Sequence, residues 1–547
     1  MDNVLRESYA ELLDGAYECV DRLVLNAYFK LAQSPGGFRH WWRQLQGSDA
    51  DLDNTHLMRF AGRFARRVRA YAHKHSIPVV DCGRGERQHL VAAQYLPEDS
   101  TFTGVFAILV KRAPAPVWDV QTTKDGRIRN LRKKYPYVKQ YAFHILDPDW
   151  GHLIIKLCPH PPFGAQIILN GHEYVARQAH RAQLTFTQEG NCFTQVSDPT
   201  HLAQLADTLR SPDAVGPLRQ VCERWIYTTC LNFALPLEAQ ARTRFEYQYS
   251  VYQLELSYNL LFQRGQQMEQ VAQGLIDRVR TTVDIPTLKT IFGKKRRPTH
   301  RTRRRSPRLE RVIEKPVYDL TVFKLHFDKL TLKLYTKGAH VLRLEVITHN
   351  ARTLPGGSTL VNLPAMLTHL HAILRRFSAV LHCLDTAFVS SDLLEHLPEA
   401  TQVGRTRVGG IDLNQPRIRA VMQALLNLAA QPGGFRVTEL AAHVRAKLNL
   451  PATAYTSRHA AYDLKKLRGK HWVHKRGRSR RYEIPPEGLR IMTALLVLRE
   501  QVIKPVLAGV LKPKRGPKPA QQTQRDALYQ AIQLAMFNLF QALGIAV

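Results

Sequence analysis

The chain has 547 residues and carries 78 Lys and Arg against 45 Asp and Glu, a surplus of +33. Its 44% hydrophobic content excludes global disorder, and at roughly 100–200 residues per domain the length implies about three to five domains. The seven cysteines form no CxxC pair, which disfavours a zinc finger or a disulfide scaffold. The charge excess argues for a polyanionic partner, because each neutralised phosphate releases counterions.

Residues 1–75 read as a helical region, with VDRLVLNAYFKLAQ and HLMRFAGRFARRVRAYAHK both showing helical apolar spacing. The second stretch carries a basic stripe in which Arg63, Arg66 and Arg67 are candidate phosphate contacts. The start, MDNVLRESYAELLDG, lacks an apolar signal core, and no run of about 18 apolar residues occurs, so a cytoplasmic, nucleoid-associated location is expected. Residues 76–235 read as an α/β domain. IPVVD predicts a short buried strand, followed by strands at 104–110, 117–120, 141–146, 152–157 and 165–170, with KDG as a hairpin turn.

Residues 236–293 read as a helical connector, within which FEYQYSVYQLELSYNLLF mixes both periods and stays unassigned. Residues 294–315 form a basic linker, in which Lys294, Lys295, Arg296, Arg297, Arg303, Arg304 and Arg305 are candidate backbone contacts. Over 316–404 an alternating antiparallel meander is followed by helices, and RTRVGG at 405–410 reads as a flexible joint.

Residues 411–505 give helix, helix with Thr438 as N-cap, helix, a hairpin with a basic tip, and a closing helix. This order resembles the winged helix-turn-helix of bacterial MarR-like regulators. The resemblance implies a recognition helix at 456–468, with Ser457, Arg458, His459, Tyr462 and Lys465 toward bases or phosphates. It also implies that Lys475, Arg476, Arg478, Arg480 and Arg481 meet backbone or minor groove from the wing. Residues 506–547 hold a basic Pro-rich linker and a terminal helix suited to core packing or homodimer formation. LKPKRGPKP there resembles an AT-hook, with Arg515 as its minor-groove arginine. The fold class expected for the whole is a multidomain α+β chain.

Upstream, a polar cluster between 144 and 191 includes His144, Asn170, His172, Glu189 and Asn191, and NGHE sits at a strand-to-helix junction, a ready anion site. Phosphodiester chemistry would draw on His152, Lys156, His160, Glu173 and Glu345 as catalytic groups, with Asp147, Asp149 and Glu173 holding Mg²⁺ or Mn²⁺. Structural or RNA-contacting roles are the plainer alternative. A carboxylate and a Gly-rich basic turn at Asp81-Cys82-Gly83-Arg84-Gly85-Glu86-Arg87 form a second candidate, which is equally a helix cap.

A third candidate lies in the meander, where LKLYTKGAHVLRLEV places Tyr335, Lys337, Arg343 and Glu345 on adjacent strands. This pattern resembles the strand pair of rolling-circle replication initiators, in which an acidic residue on the sheet helps bind the metal and a separate Tyr attacks DNA. The paired histidines of that superfamily are missing, since THLHA falls in helical text; Tyr247, Tyr249, Tyr252 and Tyr258 are the candidate nucleophiles, or core and stacking aromatics. The whole chain is similar to a family of long bacterial proteins, some of which have winged-helix tails.

Three readings follow. The first is a DNA-processing protein of a mobile element or replicon: a nicking endonuclease, replication initiator or transposase-like enzyme. The second is a non-enzymatic transcription or partition regulator. The third is an RNA-binding ribonucleoprotein component, with LRKKYPYVKQYAFH stacking bases; an edge strand with exposed lysines is its bland counterpart.

Overall fold

A computed structural model describes residues 4–83, 85–125, 127–282, 289–292, 309–317, 320–327, 329–354, 356–385, 391–429, 431, 433–477, 479–503 and 524–542. The chain is α+β and divides into two compact units. One comprises residues 10–268 and 289–374; the other comprises residues 1–9, 269–288 and 375–547. Lys294, Lys295, Arg296, Arg297, Arg303, Arg304, Arg305, Arg478 and Arg515 lie outside the described residues.

The chain opens with α1 (Val4–Ser8), β1 (Leu13–Phe29), α2 (Pro35–Gln46) and α3 (Asn54–Lys74). It continues through β2 (Val79–Asp81), α4 (Gln88–Ala93), β3 (Gly104–Pro114), β4 (Val117–Thr122), β5 (Ile128–Lys134), β6 (Tyr137–Asp147), β7 (Gly151–Leu157) and β8 (Ala165–Leu169). Next come α5 (Gly171–Arg181), β9 (Phe186–Gln188), β10 (Phe193–Val196), α6 (Pro199–Asp207), α7 (Val215–Ile226), α8 (Asn232–Ala234), α9 (Leu237–Thr243) and β11 (Tyr247–Phe262). After α10 (Gly265–Thr282), β12 (Lys289–Phe292) and β13 (Leu309–Val317) precede the meander of β14 (Leu320–Phe327), β15 (Leu330–Lys337) and β16 (Val341–Thr348).

These strands form a twelve-stranded sheet in the order β12-β13-β14-β15-β16-β11-β1-β8-β7-β6-β3-β2, while β4–β5 and β9–β10 are separate hairpins. Only the two edge pairs, β12–β13 and β2–β3, are parallel. β2 is short and largely exposed, not the buried strand expected from IPVVD. The larger corrections fall on β1 and β11. VDRLVLNAYF, expected helical, belongs to a 17-residue strand, and the unassigned Tyr247–Phe262 stretch is its 16-residue partner. Both are central and largely buried on both faces, which erases the alternation that marks a half-exposed strand. Residues 309–315, assigned to the basic linker, pair as part of β13. An aromatic core of Phe29, Trp41, Phe60, Phe163 and Phe245 lies against α2 and α3.

The second unit continues from α11 (Leu363–Asp385), which the boundary crosses, through α12 (Ser391–His396), β17 (Thr401–Val403) and β18 (Thr406–Val408). The expected flexible joint is instead the second strand of the β17–β18 hairpin, with Val408 buried and Gly410 against the Pro398 backbone. Then follow α13 (Pro416–Leu428), α14 (Val437–Leu448), α15 (Ser457–Gly469), β19 (His474–Lys475), β20 (Tyr482–Glu483), α16 (Pro486–Val497) and α17 (Gln524–Ala542). Its core gathers Val421, Leu425, Phe435, Leu440, Val444, Leu464, Trp472 and Met492. Thr438 is not the cap of α14: Arg436 holds that position, and Glu439 accepts its backbone N–H at 2.7 Å. Among the described residues no helix is long and apolar enough to cross a membrane.

Candidate nucleic-acid interface and a charged cluster on the sheet

α15 presents two different sides. Ala460, Asp463, Leu464 and Leu467 are buried, whereas Ser457, Arg458, His459 and Tyr462 are exposed and Lys465 is half-buried. Asp463 is the helix's lone acid. It is turned inward, where the Tyr455 hydroxyl donates to it at 2.9 Å and Arg417 stands at 3.3 Å. The outer side of the helix therefore carries no negative charge. His459 also serves the helix start, accepting the Thr456 N–H at Nδ1 (3.2 Å).

The wing is tied to the helices. Phe435 and Tyr482 exchange backbone hydrogen bonds at 2.9 and 2.8 Å, so the turn before α14 extends the β19–β20 hairpin. Arg481 donates to Gly434 O at 2.8 Å and so helps to hold that junction. Lys475, Arg476 and Arg480 remain exposed at the tip.

In the sheet unit, Arg66 is exposed on α3, while Arg63 lies over the Phe60 ring at 4.6 Å and Arg67 donates to Phe233 O at 3.3 Å. Burial, then Arg67, Arg66 and Arg59, pull the Arg63 guanidinium below its usual range.

The residues chosen as catalytic do not assemble. β7 and β16 are separated by β8, β1 and β11, about 19 Å at the usual strand spacing, so His152 and Lys156 sit far from Glu345. His152 Nε2 lies 3.0 Å from His144 Nδ1, and burial, then His152 and Lys156, depresses His144 to about 3. Lys156 shares a cross-strand row with Gln166, Asn26 and Ser250 along a cavity of about 630 Å³. His160 is buried and its imidazole is lowered by burial. Glu173 lies against Gly151, and burial raises its carboxyl.

Nor do the expected metal ligands form a set. Asp147 accepts the backbone N–H groups of Asp149 and Trp150 on one oxygen, and Arg224 and Trp225 on the other. Those four donors fill the lone-pair directions of a carboxylate. Asp149 pairs with Arg181 at 2.7 Å. Among the described residues no three His, Cys, Asp or Glu side chains are grouped to hold a metal. At the Gly-rich turn, Glu86 accepts the Gly83 N–H at 2.8 Å, which closes the turn; the start of α4 at Arg87 has no side-chain cap.

Part of the 144–191 cluster does converge on the meander. Asp21 sits at a bulge of β1, between Val20 and Arg22. The Ser257 hydroxyl donates to its Oδ1 at 3.1 Å, Arg343 lies 3.3 Å away, and His172 Nδ1 lies 3.2 Å away. Arg343 is fully buried and donates to Asn259 Oδ1 at 2.6 Å and to Asn191 O at 2.5 Å. Lys337 bonds the Asn191 side chain. On the same strands Lys333 and Tyr335 donate to Glu345 Oε2 at 2.8 and 2.9 Å.

These side chains share a face because the register aligns them. Ser257 opposes Glu345, which opposes Lys333; Asn259 opposes Arg343, which opposes Tyr335. Burial, reinforced by Glu345 and Glu255 and offset by Arg343, lifts the Asp21 carboxyl to about 7. Burial alone would raise Glu345 as well, but Lys333 brings it below the ordinary carboxylate range. A carboxyl that titrates near neutrality can exchange a proton at physiological pH. Asp21, Glu255, Ser257 and Asn259 escaped the sequence reading because β1 and β11 were not recognised as strands; Lys333 lies in the recognised meander and was passed over as an ordinary exposed-face lysine. Of the tyrosine candidates, Tyr247, Tyr249 and Tyr258 are buried and Tyr252 is exposed; burial pushes the first two phenols up.

No family model matches the chain, and no curated protein matches it in sequence. A solved rolling circle replication initiator protein from Geobacillus stearothermophilus is similar at 10% identity and a TM-score of 0.21, over 66% of this chain and 85% of that one. A TM-score that low does not establish a shared fold.

Proposed function

We propose that this protein binds duplex DNA through α13–α16 and their wing, as a DNA-processing protein of a mobile element or replicon. The observation that carries the reading is the outer side of α15. It exposes Ser457, Arg458, His459 and Tyr462 and adds no acid of its own, because Asp463 is turned inward and paired with Arg417. A helix of this kind fits the major groove, and the exposed Lys475, Arg476 and Arg480 of an anchored wing reach the flanking backbone. Selection of bound duplexes from a random library by the full chain should enrich one motif, and Arg458→Ala should abolish that enrichment while general DNA affinity persists. Recovery of no motif, with no duplex retained at about 0.1 M salt, overturns the reading.

A second reading adds phosphodiester chemistry on the sheet. It is favoured by the cluster of Asp21, Glu345, Lys333, Tyr335 and Arg343, where one carboxyl titrates near 7. The described side chains offer no ready ligand set for Mg²⁺ or Mn²⁺, so the reading assigns roles to the chain's own groups: Asp21 moves a proton, and Lys333 and Arg343 hold charge. Incubating supercoiled and single-stranded DNA with the protein, with and without Mg²⁺ or Mn²⁺, tests it. Nicking by the wild type that Asp21→Asn and Glu345→Gln lose supports it, and no nicking under any condition removes it.

A further inference from the structure

The sheet unit carries a second surface that the duplex reading leaves unused. Between Lys111 and Lys139 the sequence holds nine Lys and Arg (111, 112, 124, 127, 129, 132, 133, 134, 139) and two Asp (119, 125), a net +7 over 29 residues. The segment forms the end of β3, the β4–β5 hairpin and the start of β6.

Tyr135 and Tyr137 stand at the β5–β6 turn, 68% and 70% exposed. They are the most exposed aromatic side chains among the described residues. Neither makes a hydrogen bond or ring contact there. Leaving two phenol rings in water forgoes the stabilisation of burying them. Arg112, Arg129, Arg132 and Lys139 are exposed with no carboxylate in salt-bridge range among the described residues, while Asp119 is taken by Lys134 at 2.7 Å.

The rings stand on a fixed base. Trp118 is buried and donates through Nε1 to Ala32 O at 2.9 Å. Lys133 lies over the Trp118 ring and donates to Gln33 O at 2.9 Å. Asn54 at the start of α3 accepts the Val120 N–H at 2.8 Å and returns a bond to Val120 O at 3.1 Å. Ala115 N donates to Pro136 O at 3.2 Å, which anchors the turn between the tyrosines. On the neighbouring ribbon the register sets Arg112 opposite Lys139 and Pro114 opposite Tyr137, so Tyr137, Lys139 and Arg112 share one face.

We infer that this ribbon is a binding site for single-stranded nucleic acid, in which Tyr135 and Tyr137 stack unpaired bases and Arg112, Arg129, Arg132 and Lys139 hold the phosphates. Flat rings offered beside unpaired cations match the π-faces and backbone charge of an unpaired strand. A duplex keeps its base faces stacked and hidden. An acidic protein would match the charge but not call for two naked rings. The site is independent of the winged-helix reading, because it lies on a different unit and uses none of its residues.

The test uses the full chain and fluorescence anisotropy with labelled dT20, rU20 and a 20-base-pair duplex that carries the motif selected by the winged helix. Heparin and polyglutamate serve as competitors that lack bases. Tyr135→Ala with Tyr137→Ala should weaken dT20 or rU20 by about five- to a hundredfold per ring and leave the duplex unchanged. Tyr135→Phe with Tyr137→Phe should bind like the wild type, because the ring and not the hydroxyl stacks. Arg458→Ala should do the reverse, weakening the duplex alone, so failure of either site is read separately. Which of dT20 and rU20 binds more tightly names the natural strand. The inference is overturned if the alanine pair binds both strands within twofold of the wild type while keeping the wild-type circular dichroism. It is equally overturned if polyglutamate displaces the strands as well as heparin does and Arg112→Ala with Lys139→Ala weakens both strands while the tyrosine-to-alanine pair does not.

Discussion

On β15 and β16, Lys333, Lys337 and Arg343 are buried or half-buried, and Asp21 and Glu345 lie beside them. On α15 and the wing, Arg458, Lys475 and Arg480 stand in water with no acid paired to them among the described residues. The same residue types thus serve opposite ends. A buried cation whose partner lies 3 Å away is already neutralised and gives the outside little field, whereas an exposed cation without a partner is available to a phosphate. The overall +33 is a poor guide to where a polyanion would land; what locates the contact is the combination of exposure and missing acids.

The contrast is most sharply broken by removing one buried member. Arg343→Met leaves Asp21 without its guanidinium and should cost about 3–5 kcal/mol of stability, as for other stranded buried charges. Urea unfolding of the sheet unit's transition measures it, and a loss below 1 kcal/mol would mean that the cluster is wetter than its burial indicates. Arg458→Ala removes an exposed cation instead. It should leave the unfolding midpoint unchanged while weakening selected duplexes by about 1–3 kcal/mol, read by anisotropy. Lys475→Ala and Arg480→Ala should weaken every duplex alike and shallow the salt dependence by about one unit each.

The cluster on the sheet also ties stability to pH. The Asp21 carboxyl rises from near 3.8 when unfolded to about 7 when folded. Between those values the folded state holds a proton that the unfolded state has released, so stability falls as pH climbs from about 4 to about 7. Asp21→Asn lacks this loss, so its stability relative to the wild type should increase across that window in paired melts. A constant difference would contradict the raised carboxyl. The smallest effect belongs to an exposed pair: Lys134→Ala, which breaks the contact with Asp119, should change stability by no more than about 1 kcal/mol in the same denaturation.

The amount legible in the sequence followed burial closely. The meander was plain because β14 and β15 alternate, and the helix-helix-helix-hairpin-helix order of α13–α16 was plain because Pro416, the Pro-Gly-Gly turn and the GRS tip punctuate it. β1 and β11 were not plain, for the reason that makes them central. With both faces covered, Leu23, Val24 and Leu25 run as an unbroken apolar stretch that a helix could equally own. That miss propagated to the site. Tyr335, Lys337, Arg343 and Glu345 were visible as a strand pair, and His172 and Asn191 as part of a polar cluster. Their meeting was invisible, since it depends on the bulge that turns Asp21 toward Ser257 and on helix α5 delivering His172 across the sheet. Arg481 shows the converse: an arginine of a basic tip also bonds the main chain of Gly434, a structural role its position in the sequence did not reveal.

The paired backbone bonds between Phe435 and Tyr482 have a kinetic meaning. They brace the hairpin against the first half of its own domain before any ligand arrives, so its basic tip does not have to be ordered during encounter. Under the proposed function, a hairpin held this way would meet the double helix as a preset caliper: its reach would be decided at folding, and targets whose grooves do not suit that span would be rejected without an adjustment step.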